Sequence, residues 1–276
     1  MGVMELRSAL ESIAQISDAA WMASLGARKR KELEFHDRDR DRSKIAQMDQ
    51  DTYERFYGNK KYYSATEDSK RYVDEWIATN AHGKVFLDYA CGNGVNAIKA
   101  AKAGAALSIG IDISSVSVAN ASSDAKGLSN CTFVQADAEN TKLPDHSIDT
   151  IVCSGMLHHL DLSYAFPELR RILAPGGRIL ALEALDYNPL IKLYRKLTPQ
   201  MRTEWEAAHI LSLKDVRFAE RFFNIGEVRY WHITSIAGPH VPLLAPVLQG
   251  IDRVLTKLPL AQLMAWIFTF ELLSDN

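Results

Sequence analysis

Hydrophobic and polar positions follow two different periods along the chain. Up to about residue 80 the apolar side chains recur at helical spacing, as in the stripe of Leu10, Ile13 and Ala14, which predicts a run of helices. From Lys84 onward, short apolar runs typical of buried strands alternate with helical stretches. The predicted strands are Val85–Asp88, Leu107–Asp112, Cys131–Gln135, Ile148–Cys153 and Arg178–Glu183. This rhythm predicts a doubly wound α/β fold with a mostly parallel sheet and right-handed crossovers.

The regular alternation ends after Glu183. Residues 186–212 are rich in Tyr, Trp, His and Arg, and we interpret them as an insertion. A capping-box pattern at Ser212 predicts the start of the last core helix, and Glu227–Ile233 is predicted to be a strand. Residues 241–260 are interpreted as a helical excursion. We therefore expect an N-terminal helical cap over residues 1–80 and a core over residues 81–276.

The tail, Leu258–Leu273, is the most apolar stretch of the chain. It is shorter than the ~20 residues that a membrane-spanning helix needs, and Gln262 and Glu271 interrupt it. The β-branched and aromatic residues within Ala265–Phe270 favour a strand. We predict a final strand inserted antiparallel into the sheet and no integral membrane segment; contact with a membrane surface stays open as an alternative.

Composition narrows the class of protein. The chain has 276 residues, 47% hydrophobic and 24% charged, with a formal net charge of -2, which argues against a general nucleic-acid binder. Its three cysteines are widely spaced and form no C-x-x-C pair, so neither a disulfide framework nor a zinc cluster is expected. The first residues lack the apolar core of a signal peptide. We therefore expect a cytoplasmic protein.

Candidate chemistry begins with the glycine loop Asp88–Gly94, which lies between a predicted strand and a predicted helix. Glycines allow a tight turn and the close approach of a ligand, and the following helix N-terminus suits an anionic group. On its own this loop is ambiguous. Gly92–Ala97 also matches G-x-G-x-x-A, the fingerprint of dinucleotide-binding proteins.

Three further features follow successive strands. Asp112 ends the second strand, where an acid accepts hydrogen bonds from ribose hydroxyls. Asp137 and Ala138 follow the third strand, where an acid can accept from an adenine amino group; a dehydrogenase fingerprint makes no such demand. The segment Ser154–Asp161, with its Leu-His-His-Leu run, follows the fourth strand.

In this order the features resemble those of class I S-adenosyl-L-methionine (SAM) dependent methyltransferases, particularly the quinone and sugar methyltransferase type, over about residues 84–184. The resemblance implies a Rossmann-like, seven-stranded sheet with an antiparallel last strand, and SAM as cofactor. It places Asp88 at the methionine amino group, the ribose at Asp112 and adenine at Asp137. The other residues that it assigns to the cofactor are Gly92, Gly94, Ile113, Ala138 and Ser154. Ala90 departs from the family, which usually has glycine there, and we interpret it as tolerated.

Methyl transfer to a hydroxyl requires alignment, exclusion of water and removal of a proton. His158, His159 and Glu183 are the candidate catalytic residues, since a base near neutral pKa suits this role. The candidate substrate and cap residues are Tyr62, Tyr63, Trp205 and His209. No metal site is expected, because His, Asp and Glu show no ligand-like spacing in the sequence.

The sequence therefore predicts a SAM-dependent methyltransferase that acts on a small-molecule or sugar-like metabolite. Phe35-His36-Asp37 and the pattern from Asn188 to Pro199 also resemble methyltransferases of bacterial glycan or secondary-metabolite pathways. Two alternatives stay open: an enzyme that cyclises or cleaves SAM itself and releases methylthioadenosine, and an NAD(P)-dependent oxidoreductase. The expected partner is a small molecule, with no nucleic acid, and a homodimer is an option.

Overall fold

A seven-stranded sheet forms the centre of the protein in the computed structural model. The structure describes residues 3–275. Residues 1 and 2, which belong to the segment assessed above for a signal peptide, and residue 276 lie outside the described range. The strand order is β3-β2-β1-β4-β5-β7-β6, with β7 antiparallel to both of its neighbours. The strands are β1 Val85–Tyr89, β2 Leu107–Asp112, β3 Cys131–Gln135, β4 Ile148–Ser154, β5 Leu173–Ala184, β6 Asn224–Trp231 and β7 Ile267–Leu273. The predicted α/β class and the antiparallel last strand are confirmed.

Thirteen α-helices lie within the described residues. The first six precede the sheet: α1 Val3–Ala14, α2 Asp18–Ser24, α3 Ala27–Arg40, α4 Arg42–Ala46, α5 Gln50–Tyr57 and α6 Glu67–Asn80. Three lie between the parallel strands: α7 Val95–Lys102, α8 Ser115–Asp124 and α9 Leu162–Ile172. The remaining four are α10 Pro189–Leu197, α11 Glu204–Ala208, α12 Leu213–Ala219 and α13 Ala245–Leu255. Short 3-10 helices occupy Gly58–Thr66, Leu157–His159, Pro199–Met201, Ser235–His240, Pro242–Leu244 and Ala261–Met264.

Two strands, β5 and β7, have ends that differ from the predicted ones, because backbone pairing with a neighbouring strand extends or shortens them. β5 begins at Leu173, before the Pro-Gly-Gly segment, because Leu173 pairs with Ile148 ahead of a register shift. β7 begins at Ile267 and continues to Leu273, since its full length pairs with β5. The predicted capping box at Ser212 is present, with Asp215 as its second member.

The hydrophobic core lies on both faces of the sheet, as expected when helices cover a parallel sheet on both sides. The N-terminal segment takes part in this core: Leu6, Leu10 and Ile13 of α1 are buried in the same cluster as the strands. The first helix is thus an integral part of the core, and it differs in this from α3, which covers the carboxyl ends of the strands.

Several helical segments cover those carboxyl ends. They are α3, α5, Gly58–Thr66, α10, the 3-10 helix Pro199–Met201, α11 and Ser235–His240; together we call them the cap. Among residues 3–275, no helix is both long and apolar enough to cross a bilayer.

Candidate functional site

A cavity of about 880 Å³ lies between the carboxyl ends of the parallel strands and the cap. Its size is within the range of roughly 300–1,000 Å³ that ligand sites occupy. One side is formed by the loops after β1, β2, β3 and β4, and the other by cap side chains. This is the edge at which open α/β sheets bind ligands.

The glycine loop turns through left-handed backbone at three positions. Gly92 and Gly94 have φ of 52° and 74°, and a Cβ on Gly94 would lie 2.4 Å from the Phe133 ring. Ala90 has φ of 55°, a conformation that costs an L-residue roughly 1–2 kcal/mol. The family's preference for glycine at this position therefore has a backbone cause, and Ala90 occupies it under strain.

Asp88 lies at the base of the cavity and is 2% exposed. Its Oδ2 accepts a hydrogen bond from the Ala97 amide at 3.1 Å, and its Oδ1 accepts one from Asn96 Nδ2 at 3.4 Å. Burial raises the pKa of this carboxyl to about 7. A buried carboxylate without a cationic partner suits an incoming ammonium group, which would favour its charged form.

Asp112 and Ile113 form the next part of the wall. Asp112 accepts hydrogen bonds from the amides of Gly92, at 2.8 Å, and Ser114, at 2.9 Å, so it joins the loops after β1 and β2. Ile113 lines the cavity and packs against an apolar cluster of α2 and α3. Asp112 keeps acceptor capacity for hydroxyl donors, because each carboxylate oxygen has two lone pairs.

Asp137 and Ala138 line the cavity after β3, but Asp137 already has a cationic partner. Lys29 of α3 places its Nζ 2.5 Å from Asp137 Oδ2 and 2.9 Å from Glu139 Oε2. The Ala138 carbonyl accepts a hydrogen bond from the Tyr89 hydroxyl. Ser154, at the end of β4, is exposed to the cavity.

Arg40 is a candidate cofactor residue that sequence reasoning missed. Its guanidinium lies over the glycine loop, with Nη2 3.4 Å from the place of a Cβ on Gly92. Its Nε is buried and has no hydrogen-bond partner within residues 3–275, whereas buried donors are normally paired. This orphaned donor at the glycine loop fits the carboxylate of a ligand whose ammonium group would pair with Asp88 in the same cavity, as the methionyl end of SAM would. The polar run around Arg40 contained no motif that marked it.

His158 forms a close pair with Glu183. The two candidates come together at the end of β4 and β5, with His158 Nδ1 2.6 Å from Glu183 Oε2. Glu183 is fully buried and also accepts hydrogen bonds from the amides of Met156 and Leu157. Burial disfavours a charged His158, but the Glu183 carboxylate outweighs it and raises the pKa of the imidazole.

His159 is paired with the cap instead. Its Nδ1 lies 2.9 Å from Oε2 of Glu32 on α3, and Thr203 donates a hydrogen bond to the other Glu32 oxygen at 2.6 Å. Burial and the neighbouring His158 lower the pKa of His159. Its Nε2 has no hydrogen-bond partner in the described part of the chain, so a neutral His159 with Nδ1 protonated would offer a free acceptor.

Glu32, His36 and His159 are also the residues that could hold a metal ion. Their donor atoms all lie within 4.8 Å of one another. The expectation of no metal site relied on spacing along the sequence. It overlooked Glu32 and His36, which are one helical turn apart on α3, and it could not see His159, which only the fold brings to them.

Two of the four predicted cap residues line the cavity and two do not. Tyr62 and Tyr63 face it. Trp205 and His209 lie outside it, in a separate hollow beside α3, and this prediction is corrected. Their rings stack on each other with centroids 3.7 Å apart, and Arg28 of α3 lies over Trp205, so Trp205 packs α11 against α3.

Arg195 is a second cation that the sequence did not single out. It lines the cavity from α10, and its Nη1 is buried without a hydrogen-bond partner in the described residues. The nearest carboxylate, on Asp186, is 3.6 Å away. Tyr63, Ile191, Ile236 and Trp266 also line the cavity, which therefore combines apolar walls with a buried guanidinium nitrogen that has an ion-pair partner but no hydrogen bond.

Comparison with known sequences places a family domain over these loops. Residues 87–181 match a family model described as a methyltransferase domain, and Gly92–Ala97 lies inside that match. A ubiquinone/menaquinone biosynthesis C-methyltransferase UbiE of Hahella chejuensis is 41% identical over 64 residues, 22% of this chain and 26% of that protein. A demethylmenaquinone methyltransferase of Thermus thermophilus is 34% identical over 118 residues, 41% of this chain and 52% of that protein.

A third relative is the 27-O-demethylrifamycin SV methyltransferase of Amycolatopsis mediterranei, 36% identical over 101 residues, 35% of this chain and 37% of that protein. The chain thus spans between about a quarter and a half of the length of these curated relatives.

Solved structures share the fold at low sequence identity. The magnesium protoporphyrin IX methyltransferase ChlM of Synechocystis PCC 6803, solved with bound S-adenosylhomocysteine (SAH), has a TM-score of 0.59 and 19% identity, covering 90% of this chain and all of that one. The [4+2]-cyclase SpnF has a TM-score of 0.52 and 20% identity, covering 74% of this chain and 81% of that one. Residues 87–181 therefore match a methyltransferase domain, and the sheet order and the loops around the cavity give the chain the fold of the class I SAM-dependent methyltransferases.

Proposed function

We propose that the chain transfers the methyl group of SAM to a hydroxyl or similarly acidic group of a small-molecule metabolite. One observation carries this proposal. A single cavity joins the loops that would hold SAM to a histidine with a free nitrogen and a lowered pKa.

The cofactor half of the cavity supplies anchors for each end of SAM. Asp88 would pair with its ammonium group and Arg40 with its carboxylate. Asp112 would accept from the ribose hydroxyls and Asp137 from the adenine amino group, beside Ala138. The bound sulfonium supplies an already activated methyl group, so the chain's own task is to align the acceptor, exclude water and remove a proton.

His159 is the proposed general base. Glu32 accepts from Nδ1 and thereby leaves Nε2 as the acceptor, the orientation that carboxylate–histidine pairs use in catalysis. The lowered pKa keeps the imidazole neutral near pH 7, and a neutral imidazole is the form that takes a proton.

His158 and Glu183 are proposed as positioning residues. The raised pKa of His158 favours its protonated form, which cannot act as a base. Both carboxylate oxygens of Glu183 already accept hydrogen bonds, one from His158 and the other from two backbone amides. Together they hold the 3-10 turn Leu157–His159 that carries the base.

The acceptor half of the cavity favours a mainly apolar molecule with an oxygen function. The aromatic and aliphatic walls suit an aromatic or polyketide-like skeleton, and Arg195 suits an oxygen on it. The names of the quinone and rifamycin relatives point the same way, toward bacterial secondary metabolism or cofactor biosynthesis.

Product analysis tests the proposal. The purified chain is incubated with SAM alone and with a panel of hydroxylated aromatic and sugar acceptors, and the products are identified by mass spectrometry. SAH that forms only with an acceptor supports methyl transfer. Methylthioadenosine formed without acceptor would replace the proposal with cyclisation or cleavage of SAM. Acceptor rearranged without methylation would place the chain with non-methylating relatives of the fold, which also hosts a cyclase.

Location and partners are further parts of the proposal. The net charge of -2 supports the absence of a nucleic-acid partner, and free cysteines suit the reducing cytoplasm. A homodimer stays a prediction, which analytical ultracentrifugation of the purified chain would test.

A further inference from the structure

Two helices beside the cavity present apolar stripes to solvent. On α10, Leu190, Leu193 and Leu197 are exposed and recur at helical spacing; Leu190 is 73% exposed. On α13 and its end, Val247, Ile251, Val254 and Leu258 form a second stripe. Leu243, Leu244 and Leu260 extend it at both ends, and Leu243 is 96% exposed. Single exposed apolar residues are common in proteins, but continuous stripes of this kind mark interaction sites.

The exposed charged side chains on the two helices themselves are all basic. The exposed charged side chains of α10 are Lys192 and Lys196, and those of residues 241–260 are Arg253 and Lys257. One acid of this second segment, Asp252, is buried and accepts hydrogen bonds from backbone amides of residues 233–235. Outside the helices, Asp186 pairs with Lys192 at 2.9 Å. An apolar stripe flanked by basic residues is the composition of helices that lie in the surface of anionic membranes.

The stripes are connected to the cavity. Leu190, Ile191 and Tyr194 of α10 line it, and so do Ile236 and His240 just before α13. Tyr62 lies between the two segments, with its ring against those of Tyr194 and His240. The same pieces of chain therefore form a wall of the cavity on one side and an apolar surface on the other.

We propose that the stripes of α10 and α13 dock the chain onto the surface of an anionic lipid bilayer, with this wall of the cavity at the membrane. The apolar side chains enter the interface, and Lys192, Lys196, Arg253 and Lys257 contact acidic headgroups. An apolar acceptor dissolved in the lipid then reaches the cavity without crossing water. Docking itself is independent of methyl transfer; delivery of the acceptor rests on the proposed function.

A second copy of the chain is the competing occupant of this surface, and charge disfavours it. A two-fold interface brings the same patch of both subunits together. The basic residues of one α10 and α13 would then meet those of the other, with Asp186 balancing only Lys192, and like charges at an interface are unfavourable.

Vesicle sedimentation tests the docking. The full chain is mixed with vesicles of phosphatidylcholine alone or of phosphatidylcholine with phosphatidylserine. We expect binding at least about tenfold tighter to the acidic vesicles, weakening as salt rises. Leu193→Glu and Val254→Glu should each reduce that binding about tenfold or more, because each puts an acid into the interface. Tyr164→Glu, at an exposed position of α9, is the matched control and should bind like the unaltered chain.

SAM titration of the same variants separates the two proposals. Variants that keep SAM affinity and lose vesicle binding support docking whatever the acceptor proves to be. Absence of vesicle binding by the unaltered chain, or equal loss in Tyr164→Glu, would overturn it. A dimer in ultracentrifugation that Leu193→Glu and Val254→Glu convert to monomer would assign the surface to a second copy instead.

Discussion

The sheet core and the cap reach the cavity from opposite sides, and they are held by different forces. The loops of the core are fixed by backbone pairing of parallel strands and by glycines packed too closely for a side chain. Gly94 is one of them, because a Cβ there would collide with the Phe133 ring. Helix α3 of the cap is tied to those loops mainly by side chains: Lys29 to Asp137, Arg28 to Glu139, and Asp37 to Ser114.

The adjacent histidines His158 and His159 show how the two regions affect side-chain pKa values. His158 is held by Glu183 of the core and His159 by Glu32 of the cap, and their pKa values move in opposite directions. Glu183 outweighs the effect of burial on the pKa of His158, whereas burial and the neighbouring His158 outweigh the effect of Glu32 on the pKa of His159. The proposed chemistry depends on the cap as much as on the core.

The largest expected effect separates the two histidines. His159→Asn should lower kcat by roughly 10²–10⁴-fold, the usual contribution of a general base, with SAM affinity unchanged. Because the neutral form is required and the pKa lies below 6.5, activity should be full near pH 7 and fall as the pH is lowered through that pKa. Steady-state kinetics and SAM calorimetry measure the two effects.

His209→Asn is the control for this substitution, since His209 lies outside the cavity; its kinetics should match those of the unaltered chain. If His158→Asn abolished the acid limb of the pH profile and His159→Asn left it in place, the roles of the two histidines would be exchanged.

Cofactor affinity measures how much each region contributes to binding SAM. Asp112→Ala, in the core, and Arg40→Met, in the cap, should each weaken SAM binding by about 1.5–3 kcal/mol, the usual value of a hydrogen bond to a charged group. Arg42→Met is the matched control, because Arg42 is exposed and pairs with Asp124. Calorimetry on all three, with thermal melting to confirm folding, would show whether the cap takes part. An Arg40→Met variant with normal affinity would restrict SAM binding to the core.

A third prediction concerns protons. The pKa of Asp88 is about 7 in the free chain, and an ammonium group favours the carboxylate, so SAM should bind with release of a proton below pH 7. Affinity should then weaken by up to about tenfold for each pH unit below 7. Calorimetry in buffers of different ionisation enthalpy detects the released proton. Asp88→Asn should bind weakly and show no such proton release, and a pH-independent affinity of the unaltered chain would contradict the assignment of Asp88.

The smallest effect tests strain in the core. Ala90→Gly relieves a left-handed alanine and should raise the free energy of unfolding by about 1 kcal/mol. Ala119→Gly, at an exposed position of α8, should lower it by about 1 kcal/mol. Chemical denaturation of both variants gives the two values, and a destabilised Ala90→Gly would mean that the neighbours of the loop offset the strain.

Prediction from sequence worked where a residue's position depends on its immediate neighbours. Asp88, Asp112 and Asp137 each end or follow a strand, and the strand order then brings them to one edge. It failed for contacts made between distant segments. Arg40 meets Gly92, and Glu32 meets His159, only because α3 lies across the sheet edge, and no local pattern encodes that placement.

The same limit explains the corrected residues. Composition identified residues 186–212 as rich in aromatic side chains, but it did not say which face of α11 would point inward, and Trp205 and His209 point away. The helical periodicity likewise predicted a single N-terminal cap over residues 1–80. Because α1 carries Leu6 and Leu10 into the core, a deletion of the N-terminal residues would expose the core as well as remove the cap. Single substitutions such as Arg40→Met are therefore a sharper test of what the cap contributes to SAM binding.

Lys29 has a consequence for the coupling between the cap and the cofactor site. Its ammonium group occupies one oxygen of Asp137, the acid proposed to accept from adenine, and the Glu139 amide occupies the other. Each of these oxygens has a second lone pair, so the adenine amino group would share Asp137 with Lys29, and α3 would be bound to the cofactor site through this shared carboxylate. Any movement of α3 would then be felt at the adenine end of the cavity, which couples the position of the cap to the occupancy of the cofactor site.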